Sequence, residues 1–229
     1  MPTVTKNLLI INILFFLGTF VAKTYGVDLN FLLGLHYFQS DHFNISQIFT
    51  YMFMHGGFSH LFFNMFALWM FGRILETVWG PRKFLIYYLV CGIGAGLVQE
   101  IVQFIEVQGY LSEAYAQAQT YGMTLTKDIL QQLFNRMPST VGASGAVYGI
   151  LLAFGMSFPN EKLFIIPFPF PIKAKFFVIG YAVIELFAAV GNNPNDNVAH
   201  FAHLGGMIFG LILILYWRKK GNDRNTFRY

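Results

Sequence analysis

Charged side chains are scarce in this sequence: Asp, Glu, Lys and Arg make up 11% of its 229 residues, against about 25% in an ordinary soluble domain. With 27 Phe and 55% apolar residues, too little polar surface remains to cover a water-soluble fold. The same figures exclude disorder, which needs low hydrophobicity and high charge. Cysteine is nearly missing as well. Cys91 stands alone, so neither an internal disulfide nor a Cys-based zinc site can form. A net charge of +4 is too weak to suggest a nucleic-acid partner. What these absences leave is a membrane protein, with the lipid bilayer as its first partner.

What is present is a set of long uncharged runs. Asp, Glu, Lys and Arg are absent from 7–22, 42–72, 84–99, 137–160, 176–184 and 197–217. A bilayer core of ~30 Å takes about 20 apolar helical residues. We therefore read an all-α polytopic membrane protein with six transmembrane helices, at about 7–25, 59–77, 82–105, 144–158, 172–190 and 199–218. Ser59 is expected to cap the second, and the fifth is interrupted by Glu185. No small-residue cleavage site follows the first run, so it reads as a retained span. Length and the lack of repeats or linkers suggest a single domain over 1–229.

Placing the N-terminus in the cytoplasm puts twelve of the fifteen Lys and Arg on the inside, leaving only Lys23, Lys127 and Arg136 outside. Both termini are then cytoplasmic. Segment 106–140 becomes an outer-side helical insertion, in which Leu111, Ala114, Tyr115 and Ala118 keep one helical spacing and Ile129, Leu130, Leu133, Phe134 and Met137 another. Two short amphipathic helices would fit it. His36 and His42, in the outer loop 24–58, read as interfacial or solvated. The inner segment Pro167-Phe168-Pro169-Phe170-Pro171 reads as stiff and non-helical.

Three polar groups stand where membrane helices normally avoid polarity: His55, His60 and Asn64; Gly142-Ala143-Ser144-Gly145; and His200 with His203, followed by Gly205-Gly206. In this topology all three lie at the outer ends of their helices. Ser144 falls in a first helical turn, where free N–H groups and the helix dipole favour negative charge. Gly142 and Gly145 permit close backbone approach. Tyr148, one turn deeper on the same face, can stack on an imidazole. His60 and Asn64, at i and i+4, can both donate to a developing oxyanion. A blander account also fits: Gly-Ala-Ser-Gly suits a tightly packed helix start, and His60 and Asn64 suit polar bridges between helices. On the sixth helix, His203 lies beside the small-residue seam of Ala199, Gly206 and Gly210 that would face Gly145 and Gly149. His200 lies off that seam, nearer the outer surface, and is at most accessory, as is His55.

His55-x4-His60-x3-Asn64, Gly142-x-Ser144-Gly145 and Ala202-His203-x2-Gly206-x3-Gly210 resemble the three signature motifs of the rhomboid intramembrane serine proteases. They occur in that family's order and on its second, fourth and sixth helices. The resemblance extends over essentially all of 5–218, including Glu76, Gly80 and Pro81. It implies a rhomboid-like bundle with Ser144 as nucleophile and His203 as general base. His60, Asn64 and the Ser144 amide would form the oxyanion hole, and Tyr148 would support the base. Two features depart from the pattern. Ser46-Gln47 stands where the first outer loop commonly carries Trp-Arg, and the 106–140 insertion is longer than in the smallest members.

The expected activity is cleavage of transmembrane segments of membrane proteins near their outer end, by a Ser–His dyad open to the outer side. The bacterial inner membrane is the expected location, since no mitochondrial targeting segment precedes the first run. Neither cofactor nor metal is implied. No span holds an Asp to orient the histidine, so a slow dyad relying on Tyr148 is expected. A metalloprotease would need His-Glu-x-x-His and an intramembrane aspartyl protease two Asp within spans; both patterns are missing. The alternatives are a metal or proton channel lined by His55, His60, His200, His203 and Glu185, or a catalytically degenerate adaptor.

Overall fold

The computed structural model describes residues 1–164, 170–191 and 198–221. The proline-rich segment at 167–169, Asp196, and Arg224 and Arg228 lie outside them. The described residues are almost wholly helical. The principal helices are α1 (Thr3–Thr24), α2 (Phe58–Trp79), α3 (Pro81–Thr120), α4 (Lys127–Asn135), α5 (Ser144–Ser157), α6 (Ala174–Gly191) and α7 (His200–Lys219). Strands β1 (Lys162–Leu163) and β2 (Ile172–Lys173) pair antiparallel between α5 and α6. Five helices, α1, α2, α3, α6 and α7, are long and apolar enough to cross a membrane, while α5 is shorter at 14 residues. The outside of the bundle exposes large apolar side chains such as Leu14, Phe63, Ile101, Phe187 and Leu215, a surface suited to lipid rather than water. The protein is a multi-pass membrane protein.

Local chemistry accounts for the helix ends. Gly80 ends α2 at φ +81, and Pro81 opens α3 directly behind it, the asymmetry that glycine's left-handed freedom and proline's fixed φ favour. The α1 start is capped from a distance: the buried Glu76 carboxylate of α2 accepts the Val4 and Thr5 amides at 2.9 and 2.7 Å and the Thr5 hydroxyl at 2.7 Å. A carboxylate there also meets the positive end of the helix dipole. The α2 start differs from expectation. Gly57 is its cap residue, and Ser59 lies inside the first turn without a side-chain cap.

Segment 106–140 also differs from expectation. Instead of two short helices, α3 runs unbroken for 40 residues to Thr120, carrying Leu111, Ala114, Tyr115 and Ala118 with it; only α4 is separate, capped by the Thr126 hydroxyl. No proline follows Pro81 before Tyr121, and past the glycines packed in the bundle at 92, 94 and 96 only Gly109 weakens the helix, at a cost of about 1 kcal/mol.

At the centre, α3, α5 and α7 pack at backbone distance. A methyl at Gly206 would overlap the Gly145 carbonyl, and one at Gly149 would run into Cys91 of α3. Tyr87 of α3 donates its hydroxyl to the Gly149 carbonyl at 2.8 Å. This seam of small residues fixes α5 against α7 and thereby the side chains at their first turns.

Candidate active site

Ser144 is the first residue of α5, His203 the fourth of α7, and His60 and Asn64 lie in the first two turns of α2. Three helices thus begin at one end of the bundle, and α6 ends there. A cavity of about 960 Å³ opens among them, lined by His60, Asn64, Gly142, Ser144, Tyr148 and His203, with Gln99, Gln103 and Glu106 of α3 on its far wall.

Within it, Ser144 Oγ lies 2.9 Å from His203 Nε2. Tyr148 stacks on the His203 ring, centroids 4.2 Å apart and planes 9° from parallel. The other ring nitrogen, His203 Nδ1, lies 2.9 Å from Glu185 Oε2, and His200 Nδ1 lies 2.6 Å from the same oxygen. The Tyr148 hydroxyl donates to Glu185 Oε1. An ionised carboxylate can only accept, so both imidazoles carry their proton on Nδ1. The Nε2 lone pair of His203 is thereby left to accept the Ser144 hydroxyl.

This corrects the expectation of a dyad without a carboxylate. Glu185, read from sequence as an interruption of a span or a channel-lining residue, is buried against His203. It is a Glu on α6, not an Asp. The available signal was its isolation: it is the one charged residue between Phe176 and Gly191, and an intramembrane acid is costly enough to demand a partner.

The opposite wall can stabilise negative charge. Gly142 adopts φ +135, and a methyl there would fall 2.7 Å from His60 Nε2 and 3.4 Å from Ser144 Oγ, so both its conformation and its surroundings require glycine. Its own amide is committed to the Tyr51 carbonyl at 2.9 Å, which leaves its contribution one of space. Ser144 opens its helix, where amides lack an intrahelical partner. Asn64 Nδ2 is buried with no hydrogen-bond partner among the described residues. His55 does not line the cavity; it packs edge-on behind His60, ring centroids 5.1 Å apart. Burial, reinforced by the neighbouring His60, holds its pKa down at about 4.

Loop 24–58 contains one more departure from expectation. His42 is exposed as read, but His36 is buried, its Nε2 2.6 Å from the Phe31 carbonyl. Gln47, in the place of the family's Trp-Arg pair, is buried too. Its Nε2 donates to the Leu32 and His42 carbonyls at 3.1 and 3.0 Å, and its Oε1 accepts the His36 and Asn44 amides at 3.3 and 3.1 Å. One side chain ties four points of the loop together.

A serine at a helix start, hydrogen-bonded to a histidine whose far nitrogen faces an acid, is the arrangement of a serine hydrolase. Here it is built among apolar helices. Residues 42–220 match the Rhomboid domain. The chain is 30% identical over 173 residues to Rhomboid protein 1, mitochondrial, of Saccharomyces cerevisiae, covering 73% of this chain and 40% of that one. It is 29% identical over 170 residues to Rhomboid protease AarA of Providencia stuartii, covering 72% and 53%, and 28% identical over 165 residues to Rhomboid protease GluP of Bacillus subtilis, covering 72% and 24%. The protein belongs to the rhomboid family. It spans about half or less of the length of these three relatives.

Proposed function

We propose that the protein is an intramembrane serine endopeptidase that cuts transmembrane segments of other membrane proteins. The observation that carries this reading is the 2.9 Å contact between Ser144 Oγ and His203 Nε2 inside a cavity of about 960 Å³. Ser144 Oγ bonds to the scissile carbonyl carbon while its proton passes to His203 Nε2. The carbonyl oxygen becomes an oxyanion facing the Ser144 amide, His60 and Asn64. The C–N bond then breaks, the amine leaves with the proton from His203, and water repeats the sequence to free Ser144.

In this reading α5 is the fourth of six spans and both termini face the cytoplasm, so the cavity opens to the outer side and cleavage falls near the substrate's outer end. Helix length supports it. At 14 residues, α5 is ~21 Å long against a ~30 Å core. Its first residue, Ser144, therefore starts below the surface, and a cavity must bring water to it. The bilayer assigned is the bacterial inner membrane.

Glu185, His200 and His203 each offer one donor atom within 4.8 Å of the others, which favours a metal site as a second reading. The separations of 2.6 and 2.9 Å are those of N–H···O bonds. A tetrahedral zinc with bonds of ~2.0–2.1 Å would hold its ligands roughly 3.3 Å apart. The protease needs no such rearrangement. The test is cleavage of a fluorescent reporter carrying a transmembrane segment by purified protein. Ser144→Ala should abolish cleavage and fluorophosphonate labelling without unfolding, and dialysis against EDTA should leave the wild-type rate unchanged. Cleavage by the Ser144→Ala variant would end the protease reading, and loss of activity on chelation would favour the metal.

A further inference from the structure

We propose that Glu185 is the positioning residue of this site: it makes the Ser144–His203 pair a triad-like relay, and Tyr148 and His200 hold its carboxylate in place. The inference rests on reading Ser144 and His203 as nucleophile and base, and adds to that reading a third member from α6.

Burying a carboxylate among apolar helices is costly unless donors satisfy both of its oxygens. Glu185 meets that condition with three donors: the Tyr148 hydroxyl on Oε1, and His200 Nδ1 and His203 Nδ1 on Oε2. Two of the three belong to residues with no direct contact to Ser144 among the hydrogen bonds of the site, and both act on the carboxylate. His200 reaches Oε2 from the first residue of α7. Tyr148 reaches Oε1 from α5, while its ring lies flat on the His203 imidazole. The carboxylate is therefore fixed from two helices and faces the base from a third.

That geometry does two things for a base. It holds the proton of His203 on Nδ1, so that Nε2 presents its lone pair to Ser144 Oγ at 2.9 Å. It also places an anion beside the imidazole at the moment the ring takes the serine proton and becomes positive. A role in packing alone would need neither the charge nor the alignment, since a neutral amide of the same shape could join the same helices. In serine proteases, neutralising the equivalent carboxylate while keeping its shape lowers turnover roughly 10⁴-fold.

The test compares purified full-length wild type, Glu185→Gln, Glu185→Asp and Ser144→Ala in proteoliposomes. It measures kcat and KM on the fluorescent transmembrane reporter, the rate of fluorophosphonate labelling, and the melting temperature. Glu185→Gln should lower kcat and labelling rate by a factor of about 10² or more with KM unchanged. Glu185→Asp keeps the charge but draws it back from both imidazoles, and should fall between, about tenfold below wild type. A folded Glu185→Gln variant with kcat within twofold of wild type overturns the proposal, as does a raised KM at constant kcat, which would make Glu185 a substrate-binding group. If Glu185→Gln does not fold, Glu185→Asp decides: a tenfold loss in kcat at constant KM upholds the role and a wild-type kcat overturns it. Cleavage by Ser144→Ala would instead refute the protease reading itself, so the two failures are distinct.

Discussion

A single methyl at Gly206 should part the two helices that carry Ser144 and His203. It would lie 2.6 Å from the Gly145 carbonyl carbon and 3.1 Å from Gly145 Cα, where ordinary carbon contacts are ~3.5–4.0 Å. The collision is with backbone at the centre of a close-packed seam, so no rotamer change relieves it, and α5 and α7 must separate by about 1 Å. Overpacking of this kind costs about 1–3 kcal/mol. Ser144 adjoins Gly145, and His203 sits one turn before Gly206, so both ends of their 2.9 Å contact move with the separation. At ~3.9 Å the serine hydroxyl is no longer hydrogen-bonded to the base. A misplacement of this size costs on the order of 10²-fold in rate. Purified Gly206→Ala, assayed on the transmembrane reporter beside its melting curve, should therefore lose about 10²-fold in kcat while remaining folded. Gly109→Ala is the control, because a methyl there meets nothing within 4 Å. A folded Gly206→Ala variant with kcat within threefold of wild type would refute the claim that this seam sets the catalytic distance.

Asn64→Ala should lower kcat by roughly 10²–10³ with little change in KM, because its buried, unpartnered Nδ2 is assigned to charge that exists only in the transition state; a raised KM at constant kcat would assign it to substrate binding. Gln47→Ala removes four loop hydrogen bonds and should cost about 2–4 kcal/mol, seen as a lower melting temperature and faster protease nicking between Asp28 and His55, while unchanged nicking would show the loop is anchored elsewhere. His55 has its pKa lowered from 6.5 to about 4 by burial and by His60, so the unfolded chain binds its proton first: the stability it contributes is present above about pH 6.5 and is lost as pH falls toward 4, by about 3 kcal/mol. His55→Gln should flatten that acid limb in a thermal-melt series, and an unaltered limb would assign the acid sensitivity to other groups.

Much of this was legible in the sequence, for reasons that differ by residue. Helices near 3–24, 58–79, 144–157, 174–191 and 200–219 are set by where charges stop and start, a local property, and their ends are read to within a few residues. The extension of α3 to Thr120 was misjudged because leaving the membrane was equated with ending the helix. Charge at Glu106 and Glu113 marks an environment, not a break in the backbone. The anchoring by Gln47 was out of reach because its partners are mostly backbone carbonyls and amides, which every residue has and no motif records. His36 was misread for a related reason: its burial depends on how the loop folds back on Phe31.

Glu185 marks the deeper boundary between what a motif carries and what physics carries. Ser144, His60, Asn64 and His203 stand in spaced patterns, and a pattern can be recognised before the fold is known. Glu185 stands in none; its place depends on the rotation of α6 and on a pairing with α7 across 18 positions in sequence. Yet a lone carboxylate in an otherwise uncharged membrane helix must find donors or leave the bilayer, and the residues able to supply them at that end of the bundle were already identified as Tyr148, His200 and His203. The cost of the charge, taken with the donors available, leads to the contact that spacing could not predict. The same reasoning explains why a carboxylate can exist here at all: its three donors offset a desolvation that an apolar helix interface would not.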